Sequence, residues 1–344
     1  MKSFFRAAYA ELWAAAHRRQ IRMALLAVAL VSGLRVFASW LIYSGASSAS
    51  HQNLWPRFAE GAQTGLIVAE LLALVILAGS LPREAAAGVL RDPLSRGASR
   101  AVHLLARVKV ALTLPLVFAL EAVLVSFLTA LLFFDGGHVV ASPMGASDDP
   151  IVIASFDSWL TERNVPIDNL ALWVKRLDEG MTEQEASAAV GLPVFDFDSG
   201  DDFKDEFWEL IPIFQFSEAE VRNGVFLGLL SGLPAFMVLG LFALFLSVLF
   251  RTGALASGIA LASLFLYGGF FAGEYDDIAP YVFMSWLPGN GAMSVLENAG
   301  ALADGFNDVA APDPASLLIA HWAAAATGLV FVCASLLLFR KRAL

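Results

Sequence analysis

The chain is 344 residues long, 58% apolar and only 16% charged, with 27 Phe, 8 Trp and a mean hydropathy of +0.67. That balance excludes an ordinary soluble protein, in which about a quarter of the residues carry charge, and points to a polytopic membrane protein. The single Cys333 excludes an intrachain disulfide and a thiolate metal site, while the net charge of −10 acquires meaning only once the charges are sorted by side of the membrane.

Residues 3–19 are too polar to cross a bilayer, yet Phe5, Tyr9, Leu12, Trp13 and Ala16 recur at helical spacing. Within the cytoplasmic segment 1–23 they make either an interfacial amphipathic helix with its aromatics dipped into the headgroups or a plain basic juxtamembrane segment. Arg18, Arg19 and Arg22 precede the first apolar run, so no cleavable signal is expected. Six stretches then approach the length of about 20 residues that a bilayer core demands: 24–44, 63–81, 110–134, 224–250, 254–273 and 316–339. The expected fold is therefore all-α, with spans one to three in 24–134 and spans four to six in 224–344.

The side holding both termini, 82–109 and 251–253 carries fifteen basic and three acidic residues, and the opposite side six basic and twenty-seven acidic. Basic loops stay inside, which places both termini in the cytoplasm.

Segment 82–109 carries six Lys or Arg against two acids. Glu84 and three alanines favour a helix that Gly88 and Pro93 interrupt, and a second helix starts near Ser99. It is either a docking element or a loop whose arginines merely enforce topology. The acidic extracytoplasmic insert 135–223 predicts helices over 166–177, from the Thr182–Glu185 capping-box spacing to Gly191, and over 203–214. Residues 196–202 resemble a calcium loop, but its glycine is one place early and Phe207 replaces the bidentate carboxylate, so an acidic turn is the better reading. Segment 274–315, with seven acids and no Lys or Arg, is apolar in its middle. It is either partly re-entrant or an interfacial hairpin with Trp286 at the headgroups.

No P-loop, HExxH, GxSxG or CxxC occurs, and the five histidines have no metal-ligand spacing. The chain is not expected to be an enzyme, nor to bind a metal, a cofactor or nucleic acid. Arg35, Glu70 and Glu121 fall within spans, where a charge is costly unless paired or hydrated. An Arg35–Glu70 ion pair is the simplest arrangement, and a transport pathway or intersubunit cavity the alternative. Gly224, Gly228 and Gly232 make a GxxxGxxxG run that lets another helix approach closely, and Ala254, Gly258 and Ala262 repeat the spacing. Pro115 and Pro234 are expected to kink spans three and four.

This layout resembles the membrane permeases of ABC type 2 transporters, mostly exporters, over nearly the whole chain. The most specific match is the second loop, where Glu84, Gly88, Leu90, Ser99-Arg100, Leu104-Leu105 and Lys109 follow the family's pattern; Trp286-Leu287-Pro288 is a looser one. Val89 stands where a threonine is usual, Pro93 precedes the expected proline position, and the insert is longer than in compact members. The resemblance implies a permease of the bacterial inner membrane, paired with a second permease copy or relative and surrounded by membrane lipids. A separate cytoplasmic ATPase would use ATP and Mg. It further implies that Glu84, Gly88, Arg91, Arg96, Ser99 and Arg100 form the coupling region. The other readings are an envelope binding or assembly protein acting through its acidic insert, and an ion-coupled secondary transporter.

Overall fold

Helix α2 (Arg19–Tyr43) buries Val28, Ser32, Val36 and Ser39, one per turn, and exposes Leu26, Leu30, Leu34 and Leu41. Lipid tails are as apolar as leucine, so close packing rather than hydrophobicity selects the inner face, and small side chains win it. The computed structural model describes residues 2–43, 53–88, 100–134, 139–141, 176, 182–191, 213–216, 218–267, 278–289, 291, 293–303 and 314–341.

Ahead of α2, α1 (Lys2–His17) is separated from it by Arg18 alone. The remaining helices are α3 (Leu54–Ala78), α4 (Ser80–Ala86), α5 (Arg100–Phe133), α6 (Glu183–Val190), α7 (Glu218–Leu249), α8 (Gly253–Leu266), α9 (Val295–Ala303) and α10 (Pro314–Lys341). Among the described residues five helices are long and apolar enough to cross a membrane: α2, α3 with its continuation α4, α5, α7 and α10. They fit a multi-pass membrane protein. The expected fifth span, 254–273, is described only in part: α8 has 14 residues, about 21 Å at 1.5 Å per residue, against a hydrocarbon core of about 30 Å. Residues 268–273 of that stretch lie outside the described residues.

α3 and α7 are the most enclosed helices, and small residues on them set the packing distances. Gly61 and Gly65 of α3 leave room for Val36 and Ser32 of α2 and for Ser126 and Ala122 of α5. Pro115 and Pro234 both sit inside unbroken helices, α5 and α7. Pro115 has no N–H for the carbonyl of Ala111, four residues back. Gly240 of α7 approaches α5 at that same carbonyl, and its lack of a Cβ permits the contact. Phe245 of α7 stacks on Phe331 of α10, with Phe242 tilted and Phe283 edge-on against the same ring, so aromatic packing joins α7, α10 and the segment before α9.

The junctions Arg18–Glu84, Arg83–Gln20 and Arg100–Arg340 gather the start of α2, helix α4, the start of α5 and the end of α10 at one end of the bundle. The start of α2 and the last turn of α10 therefore lie at that arginine-rich end. At the other end, strands β1 (Val139–Ala141) and β2 (Ile213–Phe216) pair antiparallel, Val139 opposite Phe216 and Ala141 opposite Ile213, with an irregularity between. This corrects the helix expected over 203–214: Ile213 and Phe214 are in a strand, because β1 far upstream supplies a partner that no local pattern reveals. The rest of that helix, the loop 196–202 and, apart from the helical Arg176, the helix expected over 166–177 lie outside the described residues. α6 follows expectation. Thr182 and Glu185 form the reciprocal capping box, and Gly191 at φ 73° ends the helix in the left-handed region.

Candidate functional site

The arginine-rich end is built around two carboxylates. α3 stops at Gly79; Leu81 N–H then donates to Ser247 Oγ of α7 at 3.0 Å, anchoring the short α4. Glu84 of α4 accepts from Arg18 at 2.5 Å and from Arg107 Nη1 of α5 at 2.9 Å, and its second oxygen meets Arg107 Nη2. Arg107 also reaches Glu11 of α1 at 3.2 Å, and His103 Nδ1 lies 3.6 Å from the same carboxylate. Two acids and two arginines, mostly enclosed, thus lock α1, the α1–α2 joint, α4 and α5 together.

Of the expected coupling residues, Glu84 is consumed by this lock, its side chain 12% exposed, so it positions α4 rather than being offered to a partner. Gly88 is exposed at φ 74°, where a glycine ends the element without strain. Arg100, the first residue of α5, is exposed and donates to the Arg340 carbonyl at 3.3 Å. Arg91, Arg96 and Ser99 lie outside the described residues.

The expected Arg35–Glu70 pair is not formed. Arg35 pairs with Glu60 at 3.0 Å, and Glu60 also takes Arg57 at 3.1 Å and the Ser39 hydroxyl at 2.7 Å. The reason is the start of α3. Asn53 caps it by accepting from Trp55 N–H at 2.9 Å, so the helix begins at Leu54 and Arg57 and Glu60 belong to it rather than to a loop. Ten residues, about 15 Å along the axis, separate Glu60 from Glu70. The missed pair carried a readable signal, an Asn suited to a helix N-cap with Pro56 inside the first turn, where its missing N–H leaves no helical bond unmade.

Glu70, fully buried, instead holds the segment between α8 and α10. Its Oε1 accepts the Gly289 backbone N–H at 2.8 Å, and Oε2 has no hydrogen-bond partner. Two 3₁₀ turns, Ala279–Tyr281 and Phe283–Trp286, bring the chain inward, with Phe283, Met284, Trp286 and Leu287 buried. Ser285 Oγ donates to the Ala279 carbonyl at 2.6 Å and meets the Tyr267 hydroxyl, and Trp286 Nε1 donates to the Pro280 carbonyl at 3.0 Å. Ser294 Oγ accepts from Glu297 N–H at 3.2 Å and starts α9 on the way out. A Cβ on Gly289 would sit 2.5 Å from Ile67 N, so only glycine seats the tip on α3.

The glycine run of α7 receives this hairpin. A Cβ on Gly228 would meet the Leu296 backbone at 2.6 Å, one on Gly232 the Pro288 ring at 2.8 Å, and one on Gly224 the Ala299 side chain at 3.8 Å. The closely approaching neighbour is thus α9 and Pro288 of the same chain. Glu121 lies on α5, partly buried, with Oε2 enclosed and unpartnered. Among the described residues no cluster of three His, Cys, Asp or Glu could hold a metal ion.

Compared with known proteins, the chain matches no family model, no curated protein and no solved structure.

Proposed function

We propose that the chain is the permease subunit of an ATP-driven ABC transporter of type 2, an exporter of the bacterial inner membrane with both termini in the cytoplasm. The observation that supports it best is the Glu84 junction, which makes the short α4 one rigid body with α1 and the foot of α5. A force applied to the segment after Gly88 by a cytoplasmic ATPase would pass through that body into three long helices. ATP and Mg would be bound by the ATPase, and Arg91, Arg96 and Ser99 remain candidate docking contacts by the resemblance. A second permease would pack on α8, where Ala254, Gly258 and Ala262 form an exposed stripe and Gly258 has nothing within 4 Å.

Co-purification in mild detergent tests this reading. A stoichiometric nucleotide-binding subunit is expected, lost on Arg96→Glu; its absence from several mild detergents discards the ABC assignment. The bare Oε2 of Glu70 favours one second reading, an ion-coupled secondary transporter. That reading requires flux in reconstituted vesicles driven by an ion gradient without nucleotide.

A further inference from the structure

Among the described residues Glu70 is the only buried acid. One of its oxygens is matched, Oε1 to the Gly289 N–H at 2.8 Å, while Oε2 is enclosed without a hydrogen-bond partner. A carboxylate in such a place needs a counter-charge, and the described elements packed on α3 offer none. Arg35 of α2 and Arg57 of α3 itself are committed to Glu60, about 15 Å away along the axis. On α5, Arg107 is taken by Glu11 and Glu84, and Lys109 is exposed. Arg19 and Arg22 of α2, Arg83 of α4 and Arg100 of α5 belong to the arginine-rich end. Glu121 of α5 and Glu297 of α9 are acids and can only repel. α7 from Asn223 to its end, all of α8 and residues 282–296 contain no Asp, Glu, Lys, Arg or His. Taking an ionised carboxyl out of water costs more than one backbone N–H returns, so the group holds a proton while the site is dry. The neutral acid still offers a carbonyl oxygen to Gly289.

We propose that Glu70 is a proton-binding site whose occupancy decides whether the tip of the hairpin stays seated on α3. With the proton bound the tip is seated; loss of the proton obliges the side chain to reach water, and the tip must lift. Gly289 is what covers it, so close that a Cβ there would lie 2.8 Å from Glu70 Oε1 and 2.5 Å from Ile67 N. The seated state binds one proton more than the lifted one, so seating is favoured at low pH and lost as pH rises. A single free oxygen suits a proton rather than a calcium or magnesium ion, which takes about six to eight oxygen ligands. The inference needs neither an ATPase nor a net proton flux, and it stands apart from both readings above.

Thiol reactivity of the full chain in a neutral detergent tests it, with Met284→Cys as a buried reporter in the hairpin and Cys333→Ala as background. Glu70→Gln in the same chain is the reference, since Gln keeps an acceptor for Gly289 and cannot ionise. Dividing the two rates at each pH removes the titration of the thiol itself. The ratio is expected near one at about pH 6 and roughly tenfold higher at about pH 9. The infrared band of a neutral carboxyl, present at the lower pH and absent from Glu70→Gln, should fade over the same range. A ratio that does not change with pH, a carboxyl band missing at the lower pH, or a rate that responds to sodium in place of choline would each overturn the proposal. Should Glu70→Gln fail to fold, the rate normalised to glutathione and the deuterium shift of the carboxyl band still decide.

Discussion

Glu70 makes two different demands on a substitution, because Oε1 serves the Gly289 N–H and Oε2 serves nothing. Glu70→Gln keeps a carbonyl acceptor for Gly289 and is expected to leave thermal unfolding in detergent nearly unchanged. Glu70→Leu strands a buried N–H and should cost about 1–3 kcal/mol, a clear loss of midpoint in the same assay. Gly228 presents the complementary case. Valine there would press on the Leu296 backbone, with overpacking of about 1–3 kcal/mol, and the hairpin is what must yield. In a Cys333→Ala background, a thiol placed by Ser294→Cys should react faster with a membrane-impermeant reagent once Gly228 is Val. Unchanged reactivity would mean that the hairpin is not held by α7.

Elements differ in how far the sequence discloses them, and the difference follows the range of the interactions. α6 was legible to the residue, since its cap, its capping-box partner and its terminating glycine lie within ten positions of one another. The Thr182 backbone N–H bonded to Glu185 holds that carboxyl below the usual range. A depressed carboxyl adds stability above its unfolded pKa, about 4.3, and that contribution disappears as pH falls through the lower folded value. Hydrogen exchange over residues 183–190, corrected for intrinsic rates, should therefore be constant from neutral pH down to about 5 and faster below about 4. The apolar stretches are legible too, but not their pairings: counting residues along the spans matches Arg35 to Glu70 in depth, whereas the start of α3 at Asn53 puts Glu60 opposite Arg35. α4 was visible as a short helix, whereas the role of Glu84 depended on Arg18 and Arg107, 66 and 23 positions away. Removing that carboxylate leaves enclosed arginines short of an anion, so Glu84→Ala is expected to cost about 3–5 kcal/mol. Limited proteolysis should then cut between α1 and α2, a site the intact lock protects.

At the scale of the whole molecule the pairing of β1 with β2 predicts that the bundle folds without residues 142–212. Because Ala141 pairs with Ile213, the two ends of the insert already stand at strand spacing, about 5 Å apart. Replacing 142–212 with a short Asn-Gly turn closes a hairpin of a kind that chains form readily. The helical bundle is expected to keep its unfolding midpoint within a few degrees, measured by circular dichroism in detergent; collapse of the bundle would show that the insert is part of its core.

The contact between Glu70 and Gly289 spans 219 positions of chain. At a synthesis rate of about 5–20 residues per second, the carboxylate emerges about 10–45 s before the amide that will bind it exists. During that interval the nascent second span carries an unmatched polar group through the insertion machinery, and only the last third of the polypeptide relieves it. Truncated nascent chains ending before the hairpin should accordingly stay bound to the machinery or be degraded, while chains extended past α9 are released into the bilayer.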